Sequence, residues 1–437
     1  MIAAFLHLFS VGLLAVGAPQ SAAATHSPAR EASSAASQGS SAQEPTYGAT
    51  PEDLRPYRNA DHVYWRYFET PPQYRGAGRE EPVPEGLESF KIGLLAPIQG
   101  GRDVEIGRAI LDGVTLALEQ ANAGGGFAQG VPFELVVRND AATWGDSSNT
   151  LADLAWRERV WAVIGSVDGA STHVALRVAL KAEVMMVNTA CTDQTLTETA
   201  IPWIVRNYPD DRQHGYRLAH EVFGRRGLER VALLRSNDKY GRMGVKEFSD
   251  AARRMGHPIV VEQRFPPGDP DVEDQLARIR EANVDGIVLW GDPGDLGRIA
   301  ARIRELSFEQ PLFGPERLQS PRFLAAAGAA AEGVTITSPL DPGRDDPVWL
   351  EFVERFQQRF GRAPDSFAAA SFDGAQLLIR AARRAGANRA RIRDELFTVT
   401  EYPGLMGPVR LDASFTQVGG LHVLQVRDGR FVRLPER

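Results

Sequence analysis

The chain predicts an α/β protein built as two doubly wound parallel-sheet lobes, and three observations carry that prediction. From Phe90 onward, short apolar runs alternate with amphipathic helical stretches. The first of these units, beginning FKIGLLAPIQGG at Phe90, runs an apolar strand into a Gly-rich turn and then a long helix ending in three glycines. After about residue 210 the alternation starts afresh. Strands that alternate with helices make a parallel sheet covered on both faces, and a restart of the series makes a second such sheet.

In order, the first series predicts strands over 91–96, 133–139, 161–165, 184–188 and 203–206, with helices over 108–122, 146–159 and 171–183 between them. The second predicts helices over 211–226, 241–255, 272–282 and 296–306, and strands over 230–235, 259–265, 286–290, 312–314 and 333–337. Helices over 347–360 and 367–385 follow, then late strands over 409–411, 421–426 and 431–434.

The N-terminal region reads differently. Residues 1–24 carry no Lys, Arg, Asp or Glu and end in Ala22-Ala23-Ala24, a small-x-small cleavage pattern. The expectation is a secretory signal cut after Ala24; a retained membrane anchor is the rival reading. Residues 25–50 are Ala/Ser/Gln/Gly-rich and predict a flexible linker. Residues 51–89 are proline-punctuated yet hold Tyr57, Tyr64, Trp65, Tyr67, Phe68 and Tyr74. Aromatics at that density need a surface to pack on: an arm wrapped on the protein itself, or a docking segment for another protein.

Composition narrows the function. A net charge of −7 without a Lys/Arg run argues against a nucleic-acid partner. One cysteine, Cys191, allows no internal disulfide and no CxxC motif, and the eight histidines are scattered, so no metal and no cofactor are expected. The first Gly-rich turn is not GxGxxG, and no Walker A or G-x-S-x-G sequence appears. No catalytic residue is assigned, and Cys191 reads as a buried, inert thiol.

In open α/β sheets, ligands bind at the carboxyl ends of strands, where helix N-termini present free N–H groups. Four such places have suitable chemistry: IGSVDGAST (164–172), VNTACTDQTLTE (187–198), SNDKYGRMG (236–244), and the pair LWGDPGD (289–295) with LFGPERL (312–318). The hydroxyls of Ser171 and Thr172 serve equally as helix caps, Tyr240 as a packing residue, and Glu316 as a partner for Arg317. Two acids at one cleft, Asp292 and Glu316, favour a cationic group, because a desolvated carboxylate needs a partner.

These segments together resemble the type I periplasmic solute-binding proteins, most closely the branched-chain amino-acid/amide (leucine-binding-protein-like) receptors of bacterial ABC importers, from Phe90 to the C-terminus. The resemblance implies a three-strand hinge with crossings near 206–210, 338–342 and 407–412. Lobe 1 would then be 90–208 and 340–408, and lobe 2 would be 209–339 and 409–437. It implies that Gly169, Ala170 and Ser171 hold a ligand carboxylate, that Ala190 and Thr192 take its ammonium and carboxylate, that Tyr240 covers it, that Glu316 pairs with the ammonium, and that Phe367 lines the cleft. Asp292 stands where the family has an aromatic. In the loop after the first strand, Gly100 and Gly107 fit the family pattern while Gly101, Arg102 and Asp103 depart from it, which leaves the side-chain end of the solute open.

The expected function is therefore a secreted, periplasmic and monomeric protein that closes on a small amino acid or amide and delivers it to an ABC permease in the inner membrane. A ligand sensor of the same fold without transport is the alternative, and an enzyme is a further one.

Overall fold

The structure, a computed structural model, describes residues 72–128, 130–140, 145–269 and 271–435. The expected signal peptide (1–24), linker (25–50) and first part of the arm (51–71) lie outside the described residues.

The first sheet contains β1 (Phe90–Ala96), β2 (Phe133–Asn139), β3 (Ala162–Gly165), β4 (Met185–Asn188) and β5 (Ile204–Arg206). Its order is β2-β1-β3-β4-β5 and every pairing is parallel. β1, β3 and β4 are buried almost throughout, as strands covered by helices on both faces must be. Helices α1 (Val104–Ala123), α2 (Asp146–Ala152), α3 (Gly169–Ala182) and the short α4 (Thr195–Glu198) connect them. The helix expected over 146–159 is α2 followed by a wider π turn, Asp153–Arg157.

The second lobe begins with α5 (Asp211–Ala219), which passes into a π turn at His220–Arg225. It continues through β6 (Val231–Ser236), α6 (Lys239–Arg254), β7 (Val261–Phe265), α7 (Glu273–Glu281), β8 (Gly286–Trp290), α8 (Pro293–Glu305), β9 (Leu312–Gly314), α9 (Pro321–Ala327) and β10 (Thr335–Ser338). The chain returns to the first lobe as α10 (Pro347–Phe360), α11 (Ser366–Ala385) and α12 (Arg389–Leu396). Gly113 lets α1 and α11 touch backbone to backbone: a Cβ there would lie 2.2 Å from the Ala368 carbonyl oxygen.

Three further strands, β11 (Glu401–Gly404), β12 (Gly407–Leu411) and β13 (Gln417–Val418), form a small antiparallel sheet. The hairpin β14 (His422–Arg427) and β15 (Arg430–Arg433) then adds antiparallel to β10. The second sheet, ordered β15-β14-β10-β9-β8-β6-β7, is consequently mixed.

Three apolar cores fill the lobes, one in the first and two in the second, the last of them joining Leu218, Leu233, Phe248, Val288 and Trp290. The first joins Phe90, Leu94, Ile164 and Val187 to Leu340, Phe352, Phe367 and Leu378. The second joins Leu234, Ile287, Leu289, Ile303 and Ile336 to Leu424 and Val426. Val409, Leu411 and Phe415 pack with the first core, and Phe415 lies 3.8 Å from Phe397, centroid to centroid. β12 thus stays with the first lobe, and the third passage falls after Phe415 rather than at 407–412.

Arg206 laces the passages together. Its guanidinium pairs with Asp210 at 2.9 Å and donates to Thr416 Oγ1 at 3.1 Å, while its backbone N–H donates to the Phe415 carbonyl at 2.8 Å. His214 Nδ1 lies 3.0 Å from Thr337 Oγ1, which ties α5 to the end of β10.

The described part of the arm lies on the first lobe. Tyr74 meets Trp203 edge-on at 5.1 Å and donates from its hydroxyl to Glu183 at 2.5 Å. The Asn388 amide donates to the carbonyls of Gly78 and Glu81, and Arg79 pairs with Asp394.

Candidate functional site

The carboxyl ends of β3 and β4 face those of β6, β8 and β9, and helix caps shape the loops between. Asp168 accepts from the Ser171 N–H at 2.8 Å to start α3, and Asp238 accepts from the Gly241 N–H at 2.8 Å to start α6. Asp292 accepts from the Gly294 and Asp295 N–H groups at 2.9 and 3.3 Å to start α8, with Pro293 in its first turn.

Ion pairs join the lobes across the cleft. Lys239 Nζ lies 2.5 Å from Asp193 Oδ2, Arg317 is 3.1 Å from Asp103, and Arg102 is 3.1 Å from Asp238. Farther along, Gln194 donates to Glu247 at 2.8 Å and Arg212 pairs with Glu198. Only about 30 Å³ remains among these groups, room for about two waters at roughly 10–15 Å³ each. The lobes are shut.

Gly169, Thr192, Tyr240 and Asp292 line this space. Ala170 is half-buried beside them. Ser171 is buried with its hydroxyl unpartnered. Ala190 is buried in the first core, its N–H turned to Asn188 Oδ1 at 3.3 Å. Phe367 stacks on Tyr208 at 5.0 Å with ring planes 19° apart.

Glu316 is the most unusual of the expected residues. Its side chain is fully buried, its Oε2 stands 3.5 Å from His214 Nε2, and neither carboxylate oxygen completes a hydrogen bond. Burial pushes the His214 imidazole down, against the pull of Glu316 and Asp210, so the ring is neutral at neutral pH and does not neutralise the acid. Glu316 does not pair with Arg317, whose guanidinium lies 3.7 Å over the Tyr240 ring and points to Asp103.

Asp292 corrects the expectation of a second free acid. Its carboxylate caps α8 and pairs with Arg322 at 3.1 Å, so it is not available to a cation. A different acid, Asp211, which sequence reasoning missed, lies in the cleft without an ion pair. It is wholly buried and lines the cleft beside Thr192, to whose carbonyl its backbone N–H donates at 2.7 Å and whose hydroxyl is the one polar side-chain group next to its carboxyl. Burial, and next the Glu316 charge, hold its carboxyl well above the usual range. The doubled Asp210-Asp211 at a strand-to-helix junction was the available signal: Asp210 caps α5 through the Gln213 N–H at 3.0 Å, which leaves its neighbour for the cleft.

Asp193 and Cys191 complete the first-lobe loop. Burial alone would raise Asp193, but hydrogen bonds from His173 and Lys239 and the Lys239 charge outweigh it and hold the carboxyl well below its ordinary value. Burial pushes the Cys191 thiol up to about 12, the opposite of an activated nucleophile. Among the described residues, no group of three or more His, Cys, Asp or Glu is placed to hold a metal ion.

Two α/β lobes joined by three passages, with unpartnered buried polar groups from both lobes meeting at the strand ends, define a cleft that encloses a small solute. Comparison with known proteins agrees: residues 89–430 match the model of the periplasmic binding protein family, and the chain belongs to that family. Its architecture is the type I, leucine-binding-protein-like one. The leucine-, isoleucine-, valine-, threonine-, and alanine-binding protein of Pseudomonas aeruginosa is 22% identical over 299 residues, 68% of this chain and 79% of that protein. The leucine binding protein of Thermotoga maritima superposes with a TM-score of 0.73 at 23% identity, covering 79% of this chain and 98% of its own. A solute binding protein of an ABC transporter from R. palustris, solved with benzoate, gives 0.71 at 21% identity, covering 79% and 95%. The family is one of solute-binding proteins, and its solutes vary.

Proposed function

We propose that this protein is the periplasmic receptor of an ABC importer, released by signal cleavage after Ala24, that closes on a small solute bearing an amino or amide group and hands it to an inner-membrane permease. The observation that carries the reading is the Glu316 carboxylate: fully buried, beside a neutral imidazole, with neither oxygen hydrogen-bonded. An uncompensated buried charge is strongly destabilising, and a solute N–H or ammonium is the partner this one lacks.

In this reading Glu316 and Asp211 accept from the solute nitrogen. Ser171 and Thr192 contribute hydroxyls from the first lobe, and Tyr240 covers the solute from the second. The stacked Tyr208 and Phe367 supply an aromatic wall in this reading. The ligation by both lobes makes closure and binding one event, as a solute receptor requires.

Native mass spectrometry of the gently purified mature protein, followed by calorimetry with the molecule it retains, tests the proposal. A small amine or amide retained by the wild type supports it. A retained nitrogen-free solute, or turnover of the retained molecule, overturns it.

A further inference from the structure

We propose that the solute is an amine or other organic cation without a carboxylate, and that Asp193 is the residue that excludes carboxylates. This rests on the cleft being the solute site and narrows what that site accepts.

The first argument is steric and electrostatic. The N-terminus of α3 turns helix amides toward the cleft beside Asp168 and Gly169, a natural seat for a carboxylate. That seat already holds fixed anions. A Cβ built on Gly169 would stand 2.5 Å from Asp193 Oδ2, so the Asp193 carboxylate lies directly against the first residue of the helix. Asp168, one residue before it, takes the Ser171 N–H at 2.8 Å. Asp193 is held there from several sides: the Thr195 N–H and hydroxyl donate to Oδ1 at 3.0 and 2.7 Å, and Lys239 Nζ meets Oδ2 at 2.5 Å. A solute carboxylate entering here would meet the Asp168 carboxylate and would have to displace the Asp193 carboxylate from Gly169 and from Lys239.

The second argument is charge balance. Each cation lining the cleft already has an acid: Arg102 has Asp238, Lys239 has Asp193 and Arg317 has Asp103. Two buried acids, Asp211 in the cleft lining and Glu316 next in sequence to the lining residue Arg317, have no Lys or Arg within ion-pair distance; neither Glu316 oxygen completes a hydrogen bond, and Asp211 has only the neutral Thr192 hydroxyl beside it. The shut cleft is therefore complete for anions and incomplete for a cation.

Calorimetry with matched probes separates the alternatives. Leucine, leucinamide and 4-methylpentanoate share one skeleton and differ in which charged end they keep; alanine, alaninamide and propionate repeat the comparison in a smaller size. The amide of at least one pair is expected to bind tenfold or more tighter than its amino acid, and neither nitrogen-free acid is expected to bind. In Asp193→Asn the fixed anion is removed and the Lys239 ammonium freed, so the preference for amide over amino acid is expected to shrink or invert. Thermal unfolding of that variant confirms its fold, and the wild-type ratios stand without it. An amino acid that binds wild type better than its amide overturns the exclusion of carboxylates while leaving an amine receptor in place. Binding of the nitrogen-free acids alone, or of no probe containing nitrogen, overturns both.

Discussion

Lys239 at the head of α6 sets its ammonium 2.5 Å from the Asp193 carboxylate of the opposite lobe, so the protein's own charges bridge the cleft that both residues line. With only about 30 Å³ left inside, a solute larger than about two waters enters after the lobes part.

Lys239→Ala should therefore shift the solute-free protein toward the open state. The Lys239 side chain is 25% exposed, so the pair contributes on the order of 1 kcal/mol after screening, enough for a several-fold change in population. Small-angle scattering should give a larger radius of gyration for the variant than for wild type. Identical radii would show that the pair does not hold the lobes together.

Asp211 should couple binding to protons. Its carboxyl is held well above the usual range by burial and by Glu316, and a bound cation would pull it back down by favouring the ionised form. Below the raised pKa, binding releases a proton and affinity rises with pH, by at most about tenfold per pH unit for one group. Calorimetry in buffers of different ionisation enthalpy should detect the release, and Asp211→Asn should abolish it. An affinity independent of pH in the wild type contradicts this.

Asp373 should govern stability rather than binding. Buried in α11 and accepting from the Leu405 N–H at 2.7 Å, its carboxyl is raised by burial from 3.8 to about 7. A group raised in the folded state contributes stability that is fully present below its unfolded value and is lost as pH rises through the folded one. The window is thus about pH 4 to 7, and the loss is on the order of 4 kcal/mol. Asp373→Asn should unfold at a higher temperature than wild type near pH 8 and lose that advantage near pH 4. An advantage that is the same at both pH values rules the titration out.

Much of this fold is legible in the chain because its strands are buried on both faces and stand out as apolar runs. The strand expected over 91–96 is β1, Phe90–Ala96, and the one over 286–290 is β8, Gly286–Trp290. The antiparallel β11–β13 sheet was not legible as a whole: β11 contains Pro403 and Gly404, and β13 has two residues, too short for any period to register. At the cleft, Asp292 is tied to Arg322 while Asp211 is left without an ion pair, and the reason is chemical. An acid before a proline at a strand end suits a helix cap and a ligand equally well, and only the position of Arg322, 30 residues on, decides between them. The pairs Lys239–Asp193, Arg317–Asp103 and Arg102–Asp238 join separate lobes, and no local pattern announces such contacts.

Glu316→Gln tests the central claim most directly, because binding and stability should move in opposite directions. The substitution removes a buried charge without a cationic partner, so the solute-free variant should unfold at the same temperature as wild type or higher. It also removes the acceptor for a solute cation, a charge-assisted contact of ~1.5–3 kcal/mol, so affinity for the co-purified solute should fall roughly ten- to hundred-fold or more by calorimetry. A Glu316→Gln protein that binds that solute as tightly as wild type would contradict a cleft built to hold a nitrogen cation.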